Sequence, residues 1–241
     1  MADLLAVSNL SKNFSGLRAV ADVSFVVPDG AVFAVIGPNG AGKTTLFNLI
    51  AGVFAPDEGR IEFQGARIDR LPPDEVCRRG IGRTFQIVRP FPALTVEDNV
   101  TVGALLRHPD PAAAIRRAHQ ILRNLDLFDK RHHLAGALTL PDRKRLEVAR
   151  ALATEPKLLL LDEVMAGLRP TETDRMVDIL KKLNTESGLT ILLIEHVMRA
   201  VMSVATRVLV LHHGAAIAEG TPEQVVREPA VVQSYLGAEA V

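Results

Sequence analysis

A glycine-rich loop between a strand-like run and a helix-like run constrains the fold of this chain more than any other feature. Residues 37–44 read GPNGAGKT and match the pattern G-x-x-x-x-G-K-[ST] at every fixed position. Residues 31–36 are continuously apolar, as is typical of a strand buried on both faces of a parallel sheet. Residues 44–51 predict a helix that ends at Gly52. This order predicts an α/β protein with a phosphate-binding loop.

The loop has the chemistry of a nucleotide-phosphate site. Its glycines permit positive φ, so that backbone N–H groups can surround phosphate oxygens at a helix N-terminus. We expect Lys43 to reach the β- and γ-phosphates, Thr44 to ligate Mg²⁺ and Thr45 to donate to the α-phosphate. A plain glycine-rich turn with a surface lysine is the alternative, and the flanking strand and helix argue against it. The predicted ligands of Mg·ATP here are Gly37, Pro38, Asn39, Gly40, Ala41, Gly42, Lys43, Thr44 and Thr45.

Two carboxylates follow another apolar run and supply the second half of the predicted site. Residues 158–161 are all leucine, and Asp162 and Glu163 come directly after them. A carboxylate at the C-terminal end of a buried strand lies in the crevice where open α/β sheets bind ligands. We therefore expect Asp162 to hold Mg²⁺, through water, and Glu163 to act as general base on the attacking water. The alternative is the solvated start of a loop.

The rest of the chain alternates between strand and helix patterns, except in its middle. We predict strands at residues 23–27, 31–36, 81–85, 157–161, 190–195, 208–211 and 215–219. Helices are predicted at 44–51, 95–106, 111–125 and 171–187, with capping boxes at Thr95–Asp98 and Thr221–Gln224. The fold class is thus α/β, a P-loop NTPase (RecA-like) core with a mainly parallel sheet and an N-terminal antiparallel β portion. We expect one domain, 1–241, with a core at 1–86 and 146–241 and a helical insertion subdomain at 87–145.

Composition excludes some classes of function. The 241 residues contain 28 Lys+Arg and 28 Asp+Glu, and a zero net charge does not favour a nucleic-acid-binding protein. Cys77 is the single cysteine, so a disulfide within the chain is impossible. The longest nearly apolar stretch, residues 190–211, is interrupted by charged side chains such as Glu195 and Arg199. We therefore expect no membrane span, and attachment to a membrane would need another subunit.

The order of the remaining motifs points to a family. Gln86 and His196 each follow a predicted strand, residues 166–168 read AGL, and Phe14 lies near the N-terminus. In this order they resemble the ATP-binding subunits of ABC transporters, over essentially the whole chain. The resemblance implies that Gln86 contacts Mg²⁺, water and a permease, that His196 contacts the γ-phosphate, and that Phe14 stacks on adenine. Read alone, Gln86 is an ordinary loop amide, His196 a structural histidine and Phe14 a core residue.

A narrower resemblance concerns the transported substrate. The segments GIGRTFQ, LTVEDNV, IEH, AEGTPE and SYLG, at residues 80–86, 94–100, 194–196, 218–223 and 234–237, resemble the branched-chain amino acid importer group. This implies import of branched-chain or other amino acids, or of related small amides. It also implies permease subunits, a second ATP-binding subunit and, indirectly, a substrate-binding protein, with this chain peripheral at the cytoplasmic face of the cell membrane. Residues 89–99 are expected to contact a permease loop helix.

One motif departs from the family pattern. Residues 138–142 read LTLPD where the family's signature is Leu-Ser-Gly-Gly-Gln, and Arg169 stands where the family has Asp or Asn. Pro141 has no N–H to offer a phosphate, and Asp142 adds a negative charge. Thr139 and Asp142 fit a capping pattern, which predicts a helix at 139–153 capped from within. We expect a heterodimer with a different chain, in which the partner's nucleotide faces this weak signature. The alternative is that Thr139 and the remaining N–H groups of this segment suffice for slow hydrolysis of the partner's nucleotide.

Two other classes of protein share the phosphate loop. A non-transport ABC ATPase usually has two cassettes, a long coiled coil or zinc-binding cysteines, and the sequence contains none of these. A small-molecule P-loop kinase would not need Gln86, the helix at 139–153 and His196 in this order. An energy-coupling ATPase subunit of an importer is the preferred interpretation.

Overall fold

The computed structural model describes residues 3–86 and 89–236. Residues 87 and 88, where the predicted subdomain begins, and Gly237 of the SYLG segment lie outside the described residues. The N-terminal part is a four-stranded antiparallel sheet in the order β2-β1-β4-β5. Its strands are β1 (Asp3–Phe14), β2 (Leu17–Pro28), β4 (Glu58–Phe63) and β5 (Ala66–Arg67). The predicted antiparallel portion is confirmed.

The central sheet has six strands in the order β10-β9-β3-β8-β7-β6. They are β3 (Val32–Ile36), β6 (Ile81–Arg83), β7 (Leu158–Asp162), β8 (Thr190–Ile194), β9 (Arg207–His212) and β10 (Ala215–Gly220). Every neighbouring pair is parallel except β9 and β10, which form a hairpin. β3, β7 and β8 are buried at every position, as their continuous apolar runs predict. Their C-terminal ends meet at one edge, where Asp162 pairs with Ile194.

Helices cover the central sheet. They are α1 (Lys43–Ile50), α2 (Pro73–Arg78), α3 (Val96–Ala104), α4 (Pro111–Asn124), α5 (Leu140–Ala153), α6 (Pro170–Ser187), α7 (Met198–Val204), α8 (Pro222–Val225) and α9 (Pro229–Leu236). The predicted helices correspond to α1, α3, α4, α5 and α6, with ends that differ by one or two residues. Both predicted capping boxes are present, at Thr95–Asp98 and Thr221–Gln224. The helices α2, α7 and α9 were not predicted from the sequence.

The central sheet separates two apolar clusters. Along β3, Ala34 and Ile36 face the cluster that includes α3, α4, α5 and α6, while Phe33 and Val35 face the antiparallel sheet and α1. α3 approaches α5 closely at Gly103, where a Cβ would lie 2.8 Å from the carbonyl oxygen of Arg150. α5 thus packs on α3 and α4 as well as on the central sheet. It also crosses residue 146, the position at which the nucleotide-binding core was predicted to resume after the helical insertion.

The described helices include none that is both long and apolar enough to cross a membrane.

Candidate active site

The phosphate loop closes around its own lysine. Lys43 Nζ donates to the carbonyl oxygens of Gly37, at 2.8 Å, and Pro38, at 2.9 Å. Burial lowers the pKa of Lys43, and the charges of Glu163 and Asp162 act in the opposite direction. The ammonium therefore lies at the centre of the loop with two carboxylates nearby. This is the position from which a lysine can reach phosphate oxygens.

Two glycines of the loop are required by close backbone approaches. A Cβ on Gly37 would lie 2.1 Å from the carbonyl oxygen of Leu211, and a Cβ on Gly42 would lie 2.2 Å from that of Ala19. Gly40 has φ of +79° and no atom within 4 Å of a Cβ placed on it, so it borders open space. The cavity beside the loop measures about 410 Å³ and is lined by residues 39–45 with Leu17, Arg18, Ala19, Gln86, Glu163 and His213. Five separate segments of the sequence thus surround one concave surface.

The three predicted metal ligands line a second, adjoining cavity. Thr44, Gln86 and Asp162 border a space of about 400 Å³, and Thr44 lines both cavities. Asp162 is 1% exposed, and among the residues that the structure describes its Oδ1 is buried without a hydrogen-bond partner. Burial raises the pKa of Asp162, while Arg83 lowers it. A hydroxyl, an amide and an unpaired carboxylate oxygen are the donor set that Mg²⁺ or its bound water takes, so these residues fit the ion.

Arg83 is a site residue that was not predicted from the sequence. Its Nη1 donates to the side-chain oxygen of Asn48 at 2.7 Å, and its Nη2 lies 3.3 Å from Asp162 Oδ2. Asp162 is 79 positions later in the chain, so no local pattern could reveal the pair. Arg83 holds one oxygen of Asp162 and leaves the other unpaired.

The three predicted catalytic residues meet at Glu163. Its Oε2 accepts from Gln86 Nε2 at 2.9 Å, and its Oε1 lies 2.5 Å from His196 Nε2. The backbone of Glu163 has φ of +51°, in the left-handed region, which is uncommon for a residue with a side chain. Its N–H donates to the carbonyl oxygen of Ile194 at 2.9 Å, and its own carbonyl accepts from Lys144 Nζ at 2.8 Å. The structure therefore fixes this residue through both its backbone and its side chain.

Two buried ionisable residues behind Glu163 were also missed. Lys144 is 5% exposed and Glu195 is 1% exposed. Glu195 Oε1 accepts from the backbone N–H of Met165 at 2.8 Å. Burial raises the pKa of Glu195 to about 7, against the lowering effects of N–H groups at Met165 and His196. Glu195 belongs to the IEH segment, but neither this segment nor the helical position of Lys144 predicts a contact with residues 163–165, so these contacts appear only in the fold.

Phe14 lies apart from the phosphate cavity. Its ring packs edge-on against Phe54, with ring centroids 5.2 Å apart, and it is not among the residues that line the cavity. Leu17, Arg18 and Ala19 of the β1–β2 hairpin border the loop instead. Adenine stacking by Phe14 stays a prediction. His213, which the sequence did not connect to the site, also lines the cavity.

The N-terminal end of α5 corrects the predicted cap. The Thr139 side chain does not accept a backbone N–H of α5, and its hydroxyl donates to Asp142 Oδ2 at 2.9 Å. Asp142 is 2% exposed and is paired with Lys130 and Arg145. Burial raises the pKa of Asp142, but hydrogen bonds from Lys130, Thr139 and Arg145 outweigh this, and the pKa lies below its ordinary value. The prediction of capping from within was therefore wrong, because Arg145 of the same helix and Lys130, which lies outside it, compete for the carboxylate. The negative charge that Asp142 adds to the signature is paired with Lys130 and Arg145. Pro141, however, lies in the first turn as expected.

Comparison with known proteins places this geometry in a family. Residues 20–166 match the family model for ABC transporters, and residues 217–241 match that for branched-chain amino acid ATP-binding cassette transporters. The chain is 39% identical to the high-affinity branched-chain amino acid transport ATP-binding protein BraF of Pseudomonas aeruginosa, over 97% of this chain and 98% of that protein. The corresponding protein LivG of Escherichia coli is 38% identical over the same shares.

Solved structures agree with the sequence matches. A nucleotide-free ATP-binding cassette from an ABC transporter superposes with a TM-score of 0.89 at 32% identity, over 98% of this chain and 100% of that chain. A cassette solved in its ADP conformation gives a TM-score of 0.89 at 33% identity, over the same shares. The predicted fold class is thereby confirmed. The chain belongs to the ATP-binding protein family of ABC transporters.

Proposed function

We propose that this chain binds Mg·ATP on residues 37–45 and hydrolyses it to power an importer for branched-chain or other amino acids, or for related small amides. The observation that carries the catalytic part is the position of Glu163 between Gln86 and His196, beside the phosphate loop. The substrate class rests on the relatives that are named for branched-chain amino acid transport and on the C-terminal family match. The relatives cover 97% of this chain, and the C-terminal family match covers residues 217–241.

Nucleotide binding is assigned to the loop and its neighbours. Lys43 would move from the carbonyl oxygens of its own loop to the β- and γ-phosphates, and backbone N–H groups of the loop would bind the remaining oxygens. Thr44, Gln86 and Asp162 would hold Mg²⁺, which when bound neutralises charge on the phosphates. Phe14 is retained as the proposed contact of the adenine.

Glu163 is assigned the role of general base. A carboxylate that already accepts from an amide and lies against an imidazole has its oxygens oriented towards the cavity of the phosphate loop. Gln86 and His196 would exchange these contacts for water and the γ-phosphate when ATP is bound, which would leave Glu163 free to take a proton from the water. Gln86 and His196 would thus contact Glu163 in the absence of nucleotide, and they would contact water and the γ-phosphate when ATP is bound.

A permease is the proposed partner at the cytoplasmic face of the membrane. Phe91 and Leu94 are 43% and 38% exposed, and Asn99 anchors their loop through hydrogen bonds to the N–H and carbonyl of Phe91. A mainly apolar cavity of about 290 Å³ lies beside this loop, between α2, β6, α3 and α5. An exposed apolar surface next to a groove favours a helix from a permease loop over solvent. A substrate-binding protein would act indirectly, and no nucleic acid is proposed.

The proposed second ATP-binding subunit is a different chain. The support that is left after the correction at Asp142 is Pro141, which removes one N–H from the helix end at residues 138–142.

The division into a core and an insertion subdomain at 87–145 is also a proposal. Helix α5, at Leu140–Ala153, crosses the proposed boundary.

The test of this function is hydrolysis and transport by the assembled complex. Glu163→Gln should retain ATP binding and hydrolyse ATP about 10²- to 10⁴-fold more slowly, with a matching loss of amino acid uptake into proteoliposomes. The exposed Glu186→Gln on α6 is the matched control and should leave both rates unchanged. A wild-type hydrolysis rate in Glu163→Gln would contradict the assignment of the base. Uptake of none of the amino acids or amides by an active ATPase complex would contradict the substrate class.

A further inference from the structure

The turn that follows β7 is held from three sides. Glu163 N–H donates to the carbonyl oxygen of Ile194 in β8, and Glu163 C=O accepts from Lys144 in α5. The N–H of Met165, two residues later, donates to the carboxylate of Glu195. A residue at φ of +51° persists only where its surroundings determine its conformation. These three hydrogen bonds are such surroundings, and two of them come from buried ionisable side chains.

Burying these two groups is unfavourable, which argues against a role in packing alone. Burial lowers the pKa of Lys144, and the carboxylates of Glu195, Glu163, Asp162 and Glu147 act against this effect. An apolar side chain of similar length would fill the same space without the desolvation cost. The polar atoms of Lys144 and Glu195 are directed instead at the backbone of residues 163–165, at 2.8 Å in each case. Their distinctive contribution is therefore to the geometry of that turn.

We propose that Lys144 and Glu195 are positioning residues for ATP hydrolysis, which hold the backbone of residues 163–165 so that the Glu163 carboxylate is directed at the attacking water. This inference rests on the proposed role of Glu163 as general base. Lys144 lies on α5, five positions after Thr139, so the hydrogen bond also joins the divergent signature helix to the catalytic turn of the same chain. On this proposal, a displacement of α5 would act on the backbone of Glu163 through this hydrogen bond.

The test separates nucleotide affinity from turnover. Lys144→Met removes the donor but keeps an unbranched side chain, and Lys144→Gln keeps a shorter donor. The exposed Lys181→Met on α6 is the matched control. Dissociation constants for ATP, KM and kcat are measured in the assembled complex, with Glu163→Gln in the same series. A misplaced base costs turnover, so Lys144→Met should lower kcat about 10- to 100-fold, with KM and the ATP dissociation constant within about threefold of wild type. Lys144→Gln should recover part of the loss.

Glu195 provides an independent arm. Glu195→Leu removes the acceptor of the Met165 N–H and should also lower kcat about tenfold, whereas Glu195→Gln keeps an acceptor oxygen and should restore most of the rate. This recovery by the amide distinguishes hydrogen bonding to the turn from the charge of Glu195.

The outcomes are distinguishable. A kcat of Lys144→Met equal to that of Lys181→Met overturns the inference, and so does a loss of ATP affinity in proportion to kcat, which would indicate general disruption of the site. If Lys144→Met does not fold, Lys144→Gln decides: about threefold or greater loss of kcat with unchanged affinity supports positioning, and wild-type turnover overturns it. If Glu163→Gln itself keeps the wild-type rate, the proposed base is wrong. A slow Glu163→Gln beside a fast Lys144→Met shows that only the positioning role fails.

Discussion

The buried carboxyl group of Glu195 should make the stability of this protein fall as pH rises. Burial raises its pKa from the ordinary value of 4.5 to about 7, with the Glu163 charge acting in the same direction and Lys144 opposing it. Between these two values the folded protein keeps a proton that the unfolded chain has released. The free energy of unfolding therefore decreases as pH rises in this window, and it stops decreasing above about pH 7, where the carboxyl group is ionised in both states.

The size of the effect follows from linkage. Each pKa unit corresponds to about 1.4 kcal/mol, so the rise of the Glu195 pKa to about 7 amounts to about 3 kcal/mol in total. Part of this change falls between pH 4.5 and pH 5.5. Between pH 5.5 and pH 8 the expected change is about 2 kcal/mol. Glu195→Gln removes the titration and keeps an acceptor for the Met165 N–H, so this variant should lack that part of the pH dependence.

Urea unfolding at several pH values measures the difference. The free energy of unfolding of Glu195→Gln minus that of wild type should increase by about 2 kcal/mol from pH 5.5 to pH 8, with equal m-values. Glu186→Gln, which changes an exposed glutamate of α6, is the control and should give a difference that does not vary with pH. A constant difference for Glu195→Gln, or one that decreases with pH, would refute the reasoning about burial.

Three further predictions concern binding and assembly. Lys43→Ala should remove most Mg·ATP affinity in isothermal titration, because Lys43 is the lysine of the loop directed at the phosphates; unchanged affinity would contradict the site. Cysteines introduced at Phe91 or Leu94 in a Cys77→Ala background should crosslink to a permease subunit, while one at Lys181 should not. In the assembled complex, Glu163→Gln should abolish most ATP hydrolysis, and the equivalent change in the partner chain should matter much less. Equal losses from the two changes would show that the signature at residues 138–142 works normally.

Features with local determinants were predictable from the sequence. The phosphate loop, the buried strand β3 and the capping box at Thr95–Asp98 depend on residues that are close together in the chain, and each was predicted at the observed place. The cap at Thr139 failed for the opposite reason. Asp142 finds Lys130, 12 positions earlier, and this charged partner competes with the backbone of its own helix.

The hidden parts of the site depend on contacts between distant segments. Lys144 reaches Glu163 across 19 positions, and Arg83 reaches Asp162 across 79. The predicted strand at 81–85 is observed only at 81–83, and beyond it the Thr84 hydroxyl oxygen accepts the backbone N–H of Asp162 in β7. Such pairings follow from the order of strands in the sheet, and a single sequence does not reveal which strands are neighbours.

The position of β3 in the central sheet has a consequence for folding of the protein during its synthesis on the ribosome. This strand leads into the phosphate loop, and its two neighbours are β8 and β9, at Thr190–Ile194 and Arg207–His212. The loop is thus translated early, but both edges of its strand stay unpaired until about 150 further residues have been added. Pairings of such long sequence separation form late, after the loop entropy has been overcome. A nascent chain that stalls before residue 190 should therefore be unable to hold a nucleotide, and ATP can act as a ligand that stabilises only nearly completed copies.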